Sequence, residues 1–129
     1  MSANRNRFFA LKVSLAFLSI AGSGLAGEAD VLKADMQAAP DGRYTITVTL
    51  LHADEGWDHY ADRWEVLGPD GEMIATRRLA HPHVNEQPFT RSLSGVEIPE
   101  GVERVTIRAH DGRHGYGGKT LELDVPPRG

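Results

Sequence analysis

The chain has 129 residues, with 14 basic side chains, 18 acidic side chains and no cysteine. A net acidic surface argues against nucleic acid and anionic membranes as partners. The lack of cysteine excludes disulfides, thiolate metal ligands, a catalytic thiol and a lipid-bearing cysteine. The folded part must therefore be held together by an apolar core or by something that it binds.

The first 26 residues have the pattern of a secretory signal peptide. Three basic residues come first, an apolar run follows at residues 13–21, and small residues lead up to Ala26. The apolar run is too short to cross about 30 Å of hydrocarbon, so we expect no stable membrane insertion after cleavage. Cleavage is predicted after Ala26, with Ala29 as the alternative. It would leave residues 27–129 as one periplasmic or secreted domain with 11 basic and 18 acidic side chains.

After residue 29, apolar side chains alternate with polar ones, which is the period of β-strands. The clearest case runs from Tyr44 to Leu50, where aromatic and aliphatic residues alternate with threonines. Further strands are predicted near residues 31–36, 63–66, 73–76, 89–96, 102–109 and 121–125. Seven short antiparallel strands separated by turn residues predict an all-β sandwich with no helix longer than a turn.

One corner of the predicted sandwich has a sequence resemblance. The segment Ile98-Pro99-Glu100-Gly101-Val102 resembles the corner before the sixth strand of fibronectin type III-like sandwiches, where an apolar residue, a proline and a glycine are common. The resemblance implies a seven-stranded fibronectin III/Ig-like β-sandwich. It implies no particular function, because such sandwiches have many unrelated roles.

The connections between the predicted strands differ in length. Short ones at residues 39–42, 69–71 and 99–101 alternate with long ones at residues 52–61, 79–88 and 110–118. Successive connections of such a sandwich alternate between its two ends, so the long ones share one end, which we call the histidine end. The three long connections contain all six histidines of the chain: His52, His59, His81, His83, His110 and His114. Long loops on a rigid sheet often hold a functional site.

Histidines on converging loops predict a site for a divalent transition metal. Imidazole and carboxylate groups suit zinc, copper(II) or nickel. The leading ligand pair flanks Pro82, and the other two loops offer alternatives. The candidate ligands are His81 and His83, His52 or His59, His110 or His114, and Glu86, with Glu86 or Asn85 orienting a ring. Alternatively, these histidines bond to the backbone and shape the loops.

The histidine end also has side chains that are typical of binding loops. The candidate partner-binding residues are Trp57, Tyr60, Tyr116 and Arg113. They favour a second function, the recognition of an exported protein or a glycan without a metal. Trp57 is equally consistent with a cover over the end of the core. No enzyme is expected, because cysteine is absent and the serines lack the setting of a nucleophile elbow.

Arg91 breaks the strand pattern, because it shares its period with Phe89 and Leu93 and would therefore face the core. Three arrangements would accommodate Arg91 there. They are a bulge, a side chain that extends to the end of the sandwich, and a buried ion pair with Glu86. The last option would support the loop that contains the predicted histidine pair.

Residues 81–93, together with residues 114–118, are similar to small exported proteobacterial proteins of unknown function. This resemblance implies no activity.

Overall fold

Seven β-strands form the regular structure of residues 27–128, the part of the chain that the computed structural model describes. They are β1 (Asp30–Ala38), β2 (Tyr44–Leu51), β3 (Ala61–Leu67), β4 (Met73–Arg78), β5 (Phe89–Val96), β6 (Arg104–Asp111) and β7 (Leu121–Asp124). The described residues contain no helix, so the predicted all-β fold is confirmed. The predicted signal peptide lies outside the described residues.

The strands form two antiparallel sheets. One sheet has the order β1-β2-β5 and the other has the order β4-β3-β6-β7. The long connections after β2, β4 and β6 contact one another. Residues 62 and 79 share a backbone hydrogen bond of 3.0 Å, and the backbone nitrogen of His83 donates to Asp54 at 2.6 Å. The histidine end therefore exists as one region of the molecule.

The core lies between the two sheets and follows the predicted alternation. The inward positions of β2 are all buried, and the side chains that meet them from the other sheet are buried too. The central members of this core are Tyr44, Ile46, Val48, Leu50, Trp64, Val66, Val105, Ile107 and Ala109. Since every second residue of β2 and β6 points inward, the residues at their ends point inward as well.

The observed strand limits differ slightly from the predicted ones. β6 begins at Arg104 rather than at Val102, because the backbone nitrogen of Val102 donates to the carbonyl of Pro99 in a turn. Val102 still packs against the core. β3 begins two residues earlier than predicted, at Ala61.

Arg91 forms the predicted ion pair with Glu86, with 3.1 Å between Nη2 and Oε1. The pair is not the buried one that was considered among the three alternatives, because the Arg91 side chain is half-buried and that of Glu86 is exposed. β5 is the edge strand of its sheet, so the guanidinium extends towards the loop instead of into the core.

Candidate metal centre

Polar side chains are buried together at the histidine end. Buried carboxylates and imidazoles are uncommon in a small core unless they have partners. Here five of them lie on the three long connections or at the strand ends beside them: His52, Asp54, His59, His83 and Asp111.

Strand alternation directs two of these side chains inward. His52 directly follows β2 and continues the inward series that ends at Leu50. Asp111 is the last residue of β6 and continues the inward series that ends at Ala109. The two side chains enter the same end of the core from opposite sheets, and His52 Nε2 lies 2.6 Å from Asp111 Oδ2.

Tight turns place two further histidines, His59 and His114, beside this pair, and we call His52, His59, His114 and Asp111 the cluster. In the β2–β3 connection, the nitrogen of Glu55 bonds to the carbonyl of His59 at 2.8 Å, and the nitrogen of His59 bonds to the carbonyl of Gly56 at 3.1 Å. Gly56 has a φ of 127°, which favours glycine. After β6, paired backbone bonds between Asp111 and Gly115 close the turn that contains His114.

The central acceptor of the cluster is Oδ2 of Asp111. It lies 2.6 Å from His52 Nε2, 2.9 Å from His59 Nε2 and 3.3 Å from His114 Nδ1. His59 Nε2 and His114 Nδ1 are 3.2 Å apart. The carbonyl oxygen of Gly27 lies 3.0 Å from His52 Nε2 and 3.3 Å from His59 Nε2. Three ring nitrogens, one carboxylate oxygen and one backbone carbonyl oxygen therefore converge on one small volume.

Carboxylates on the far side of two imidazoles fix their orientation. His52 Nδ1 lies 2.5 Å from Asp54 Oδ1, and His59 Nδ1 lies 2.8 Å from Glu55 Oε1. An ionised carboxylate can only accept, so both Nδ1 atoms are assigned as donors. Each ring then directs Nε2 into the cluster.

The charge of Asp111 is stabilised by its surroundings. Burial raises the pKa of this carboxyl, but hydrogen bonds from the backbone nitrogens of His114 and Arg113 and from the His52 ring outweigh burial and lower it. The two backbone bonds are 2.9 and 2.6 Å long and reach Oδ1, so Oδ2 remains directed at the imidazoles. Asp111 is therefore a carboxylate at neutral pH.

The cluster attracts positive charge. The hydrogen bond to Glu55 raises the pKa of His59 against the opposing effect of burial, and the same contact lowers the pKa of Glu55. The hydrogen-bonding roles of the His52 ring also indicate that the cluster attracts positive charge. A neutral His52 that donates through Nδ1 directs its Nε2 lone pair at two oxygens, those of Asp111 and Gly27. Lone pairs at these distances repel unless a proton or a metal ion lies between them.

The same atoms meet the elementary requirements of a metal site. His52, His59 and Asp111 each offer one ligand atom, and these atoms lie within 4.8 Å of one another. All three residues are buried, and His114 adds a nitrogen from a partly exposed ring. The three histidines were predicted as candidate ligands, whereas Asp111 was not among the predicted ligands.

The predicted pair around Pro82 lies elsewhere at the histidine end. The His83 ring is buried and stacks on Phe89 with 4.0 Å between centroids. Neither of its nitrogens has a hydrogen-bond partner among the described residues, and burial lowers its pKa. His81 is exposed, its ring centroid is 4.7 Å from that of His83, and its Nδ1 bonds to the Pro82 carbonyl. Glu86, proposed to orient a ring, instead pairs with Arg91.

His110 faces away from the cluster, because it sits one position before Asp111 on β6 and alternation turns it outward. Its Nδ1 lies 2.7 Å from Asp62 Oδ1, and its ring contacts Tyr116 edge-on with 4.8 Å between centroids.

The predicted recognition residues divide into two groups. Trp57 is 67% exposed and so does not cover the core, and its ring forms a T-shaped pair with that of half-buried Tyr60, with 5.6 Å between centroids. Arg113 is exposed as well. Tyr116 is part of a fixed network, because its hydroxyl donates to Glu65 at 2.9 Å and its ring lies 3.7 Å from the guanidinium carbon of Arg108.

Comparison with known proteins gives one informative relative. The chain is 42% identical over 98 residues to a protein of the archaeon Halomicrobium mukohataei that is named "Putative lipoprotein". The alignment covers 76% of this chain and 48% of the relative, so the chain spans about half the length of the protein it matches. This relative is archaeal, whereas the sequence resemblance pointed to proteobacteria.

No protein-family model and no solved structure matches the chain. The fibronectin type III resemblance therefore gains no support beyond the sandwich architecture itself. Among residues 27–128, no helix has the length and apolar character needed to span a membrane.

Proposed function

We propose that this protein is an exported metal-binding protein whose β-sandwich holds one divalent transition-metal ion through His52, His59, His114 and Asp111. The observation that carries the proposal is the convergence of three imidazole nitrogens on the Oδ2 atom of one buried carboxylate. Burying an ionised carboxylate in a protein core costs free energy unless a cation balances its charge.

The distances within the cluster suit such an ion. Ligand atoms about 2.0–2.1 Å from a tetrahedral metal are about 3.3 Å apart. The separation between His59 and His114 is 3.2 Å, and that between His114 and Asp111 is 3.3 Å. His52 and His59 both lie closer to Asp111, at the hydrogen-bond distances of 2.6 and 2.9 Å, so these two nitrogens would move away from the carboxylate slightly to admit the ion.

The donor chemistry selects the class of metal. The ligands are imidazoles and a carboxylate, and the chain has no cysteine, so zinc, copper(II) and nickel are favoured over copper(I). Asp54 and Glu55 would orient the His52 and His59 rings, as carboxylates commonly do for metal-bound histidines. His114, with 37% of its side chain exposed, would provide the path by which the ion enters.

Export is supported by two observations. Residues 1–26 have the pattern of a signal peptide, and the archaeal relative is named as a lipoprotein. In our proposal the protein works in the periplasm or outside the cell. It binds the metal rather than catalysing a reaction.

Titration calorimetry with Zn²⁺, Cu²⁺ and Ni²⁺ on the chain that begins at Gly27 tests the proposal. We expect one ion per chain for at least one metal, and a loss of affinity of at least about 100-fold in His59→Gln and Asp111→Asn, equivalent to about 2.8 kcal/mol. His81→Gln and His110→Gln are matched controls, because both rings lie at the same end but outside the cluster. The proposal fails if no metal binds stoichiometrically, or if the controls lose as much affinity as the cluster variants.

A further inference from the structure

We propose that Gly27 becomes the amino terminus of the exported protein, and that its amine and its carbonyl oxygen together chelate the metal ion. Removal of the signal peptide would then complete the metal site. This inference rests on the proposed function, and it adds both a ligand and a mode of regulation to it.

The backbone of Gly27 lies within the cluster. Its carbonyl oxygen is 3.0 Å from His52 Nε2 and 3.3 Å from His59 Nε2, which is as close as the side chains of the cluster are to one another. A Cβ built on Gly27 would lie 2.8 Å from both ring nitrogens of His114, so the Cα of this residue rests directly against that ring. The backbone nitrogen is attached to the same Cα.

The residues after Gly27 are held firmly in this position. The nitrogen of Val31 bonds to the carbonyl of Lys119 at 2.9 Å, and the nitrogen of Lys119 bonds to buried Asp30 at 2.7 Å. Gly118 allows this approach, because a Cβ there would collide with the carbonyl oxygen of Ala29. The β6–β7 connection, which also contains His114, thus fixes the segment that follows Gly27.

Cleavage after Ala26 would change the chemistry of the Gly27 nitrogen. In the uncleaved chain this atom is an amide whose lone pair is delocalised into the peptide bond, so it is a poor ligand. After cleavage it is a primary amine. An amine nitrogen and the carbonyl oxygen of the same residue close a five-membered ring with a metal ion, and the ammonium proton is released to solvent on binding.

The completed donor set narrows the choice of metal. Three imidazoles, one amine, one carboxylate oxygen and one carbonyl oxygen exceed the four ligands of a structural zinc site. Nitrogen-rich sets with additional oxygens suit the tetragonal geometry of copper(II) and nickel(II). The precursor lacks the amine, so full affinity would develop only after export and processing.

The test compares two forms of the chain that begins at Gly27, one with a free amine and one with an acetylated amine. Acetylation removes the amine as a ligand and leaves every side chain unchanged. We expect Cu²⁺ to bind the acetylated form at least about tenfold more weakly, and its electron paramagnetic resonance spectrum to lose one nitrogen coupling. Far-ultraviolet circular dichroism should show the same fold for both forms.

The possible outcomes separate the inference from the proposed function. Equal affinities and identical spectra for the two forms would overturn the role of the amine and leave the side-chain site intact. No Cu²⁺ binding by either folded form would overturn both ideas. Mass spectrometry of the exported protein provides a further check, because a mature chain that begins at any residue other than Gly27 contradicts the inference.

Discussion

Asp54 shows how one buried carboxylate joins several loops. Its Oδ1 accepts from the His52 ring at 2.5 Å and from the nitrogen of Ala61 at 3.1 Å, and its Oδ2 accepts from the nitrogen of His83 at 2.6 Å. His52 and Ala61 stand at the two ends of the β2–β3 connection, whereas His83 lies in the β4–β5 connection. Asp54 therefore orients a proposed metal ligand and also ties the β2–β3 and β4–β5 connections together.

We predict that Asp54→Asn weakens both the fold and the metal site. The amide keeps one acceptor oxygen but places a donor group opposite a donor, so an unfolding free energy loss of about 2 kcal/mol is expected. Metal affinity should fall about 10- to 100-fold, as for other groups that orient a ligand. Urea unfolding and metal titration measure the two effects.

Asp58→Asn is the matched control, because Asp58 is an exposed acid on the same connection. It should change stability by less than about 0.5 kcal/mol. Similar metal affinities in Asp54→Asn and the unmodified chain would contradict the orienting role of Asp54.

The residues of the site were only partly predictable. Alternation along β2 and β6 is sufficient to place His52 and Asp111 inward, so applying it to the strand ends would have found the central carboxylate. The position of His59 depends on the turn at Gly56, and that of His114 on the turn that ends at Gly115. Loop conformations of this kind have no period in the sequence, and for the same reason the spacing around Pro82 suggested a ligand pair that does not join the cluster.

At the scale of single elements, the alternation of apolar and polar residues predicted the strands well, because in a strand it reflects which face is buried. It was misleading for Glu65 of β3, which occupies an outward position between Trp64 and Val66 yet is only 1% exposed. Arg63, Arg108 and Tyr116 cover this carboxylate from the outer face of the sheet. The pattern within β3 includes Arg63 but cannot reveal the cover by Arg108 of β6 and by Tyr116 of the β6–β7 connection.

We predict that Glu65→Gln destabilises the protein by about 2–3 kcal/mol at pH 7, because it leaves two guanidinium groups without their shared partner. Burial raises the pKa of Glu65, but hydrogen bonds from Arg63, Arg108 and Tyr116 outweigh burial, and the pKa lies below its ordinary value of 4.5. The contribution of the carboxylate is therefore present above about pH 4.5 and is lost as the pH falls through the lower folded-state pKa.

Urea unfolding of Glu65→Gln and the unmodified chain between pH 7 and pH 3 measures this contribution. The difference between the two should shrink at the acidic end. Glu122→Gln is the control, since Glu122 lies on β7 of the same sheet and forms an exposed ion pair with Arg104. Its effect should stay within about 0.5 kcal/mol at every pH. A pH-independent difference for Glu65→Gln would show that its charge is not responsible.

In the whole molecule, one small core contains both an apolar centre and a polar, charged end. The sheets bury an apolar centre around Trp64 and Ile107, while the end of the same core holds the Asp111 carboxylate and its imidazoles. No disulfide is available to stabilise the fold. A bound cation would turn the histidine end from a source of electrostatic strain into a cross-link between connections that come from both sheets.

We therefore predict that metal binding stabilises the whole domain and not only its loops. At a free metal concentration about 100-fold above the dissociation constant, the unfolding free energy should rise by about 2.7 kcal/mol. In a domain of this size that corresponds to an increase in Tm of roughly 10–20 °C. Differential scanning calorimetry in the presence of metal, and again after chelation, measures the shift. His59→Gln should show almost none of it and His81→Gln all of it, because only His59 contributes an atom to the cluster. An equal shift in both variants would place the stabilising ion elsewhere on the protein.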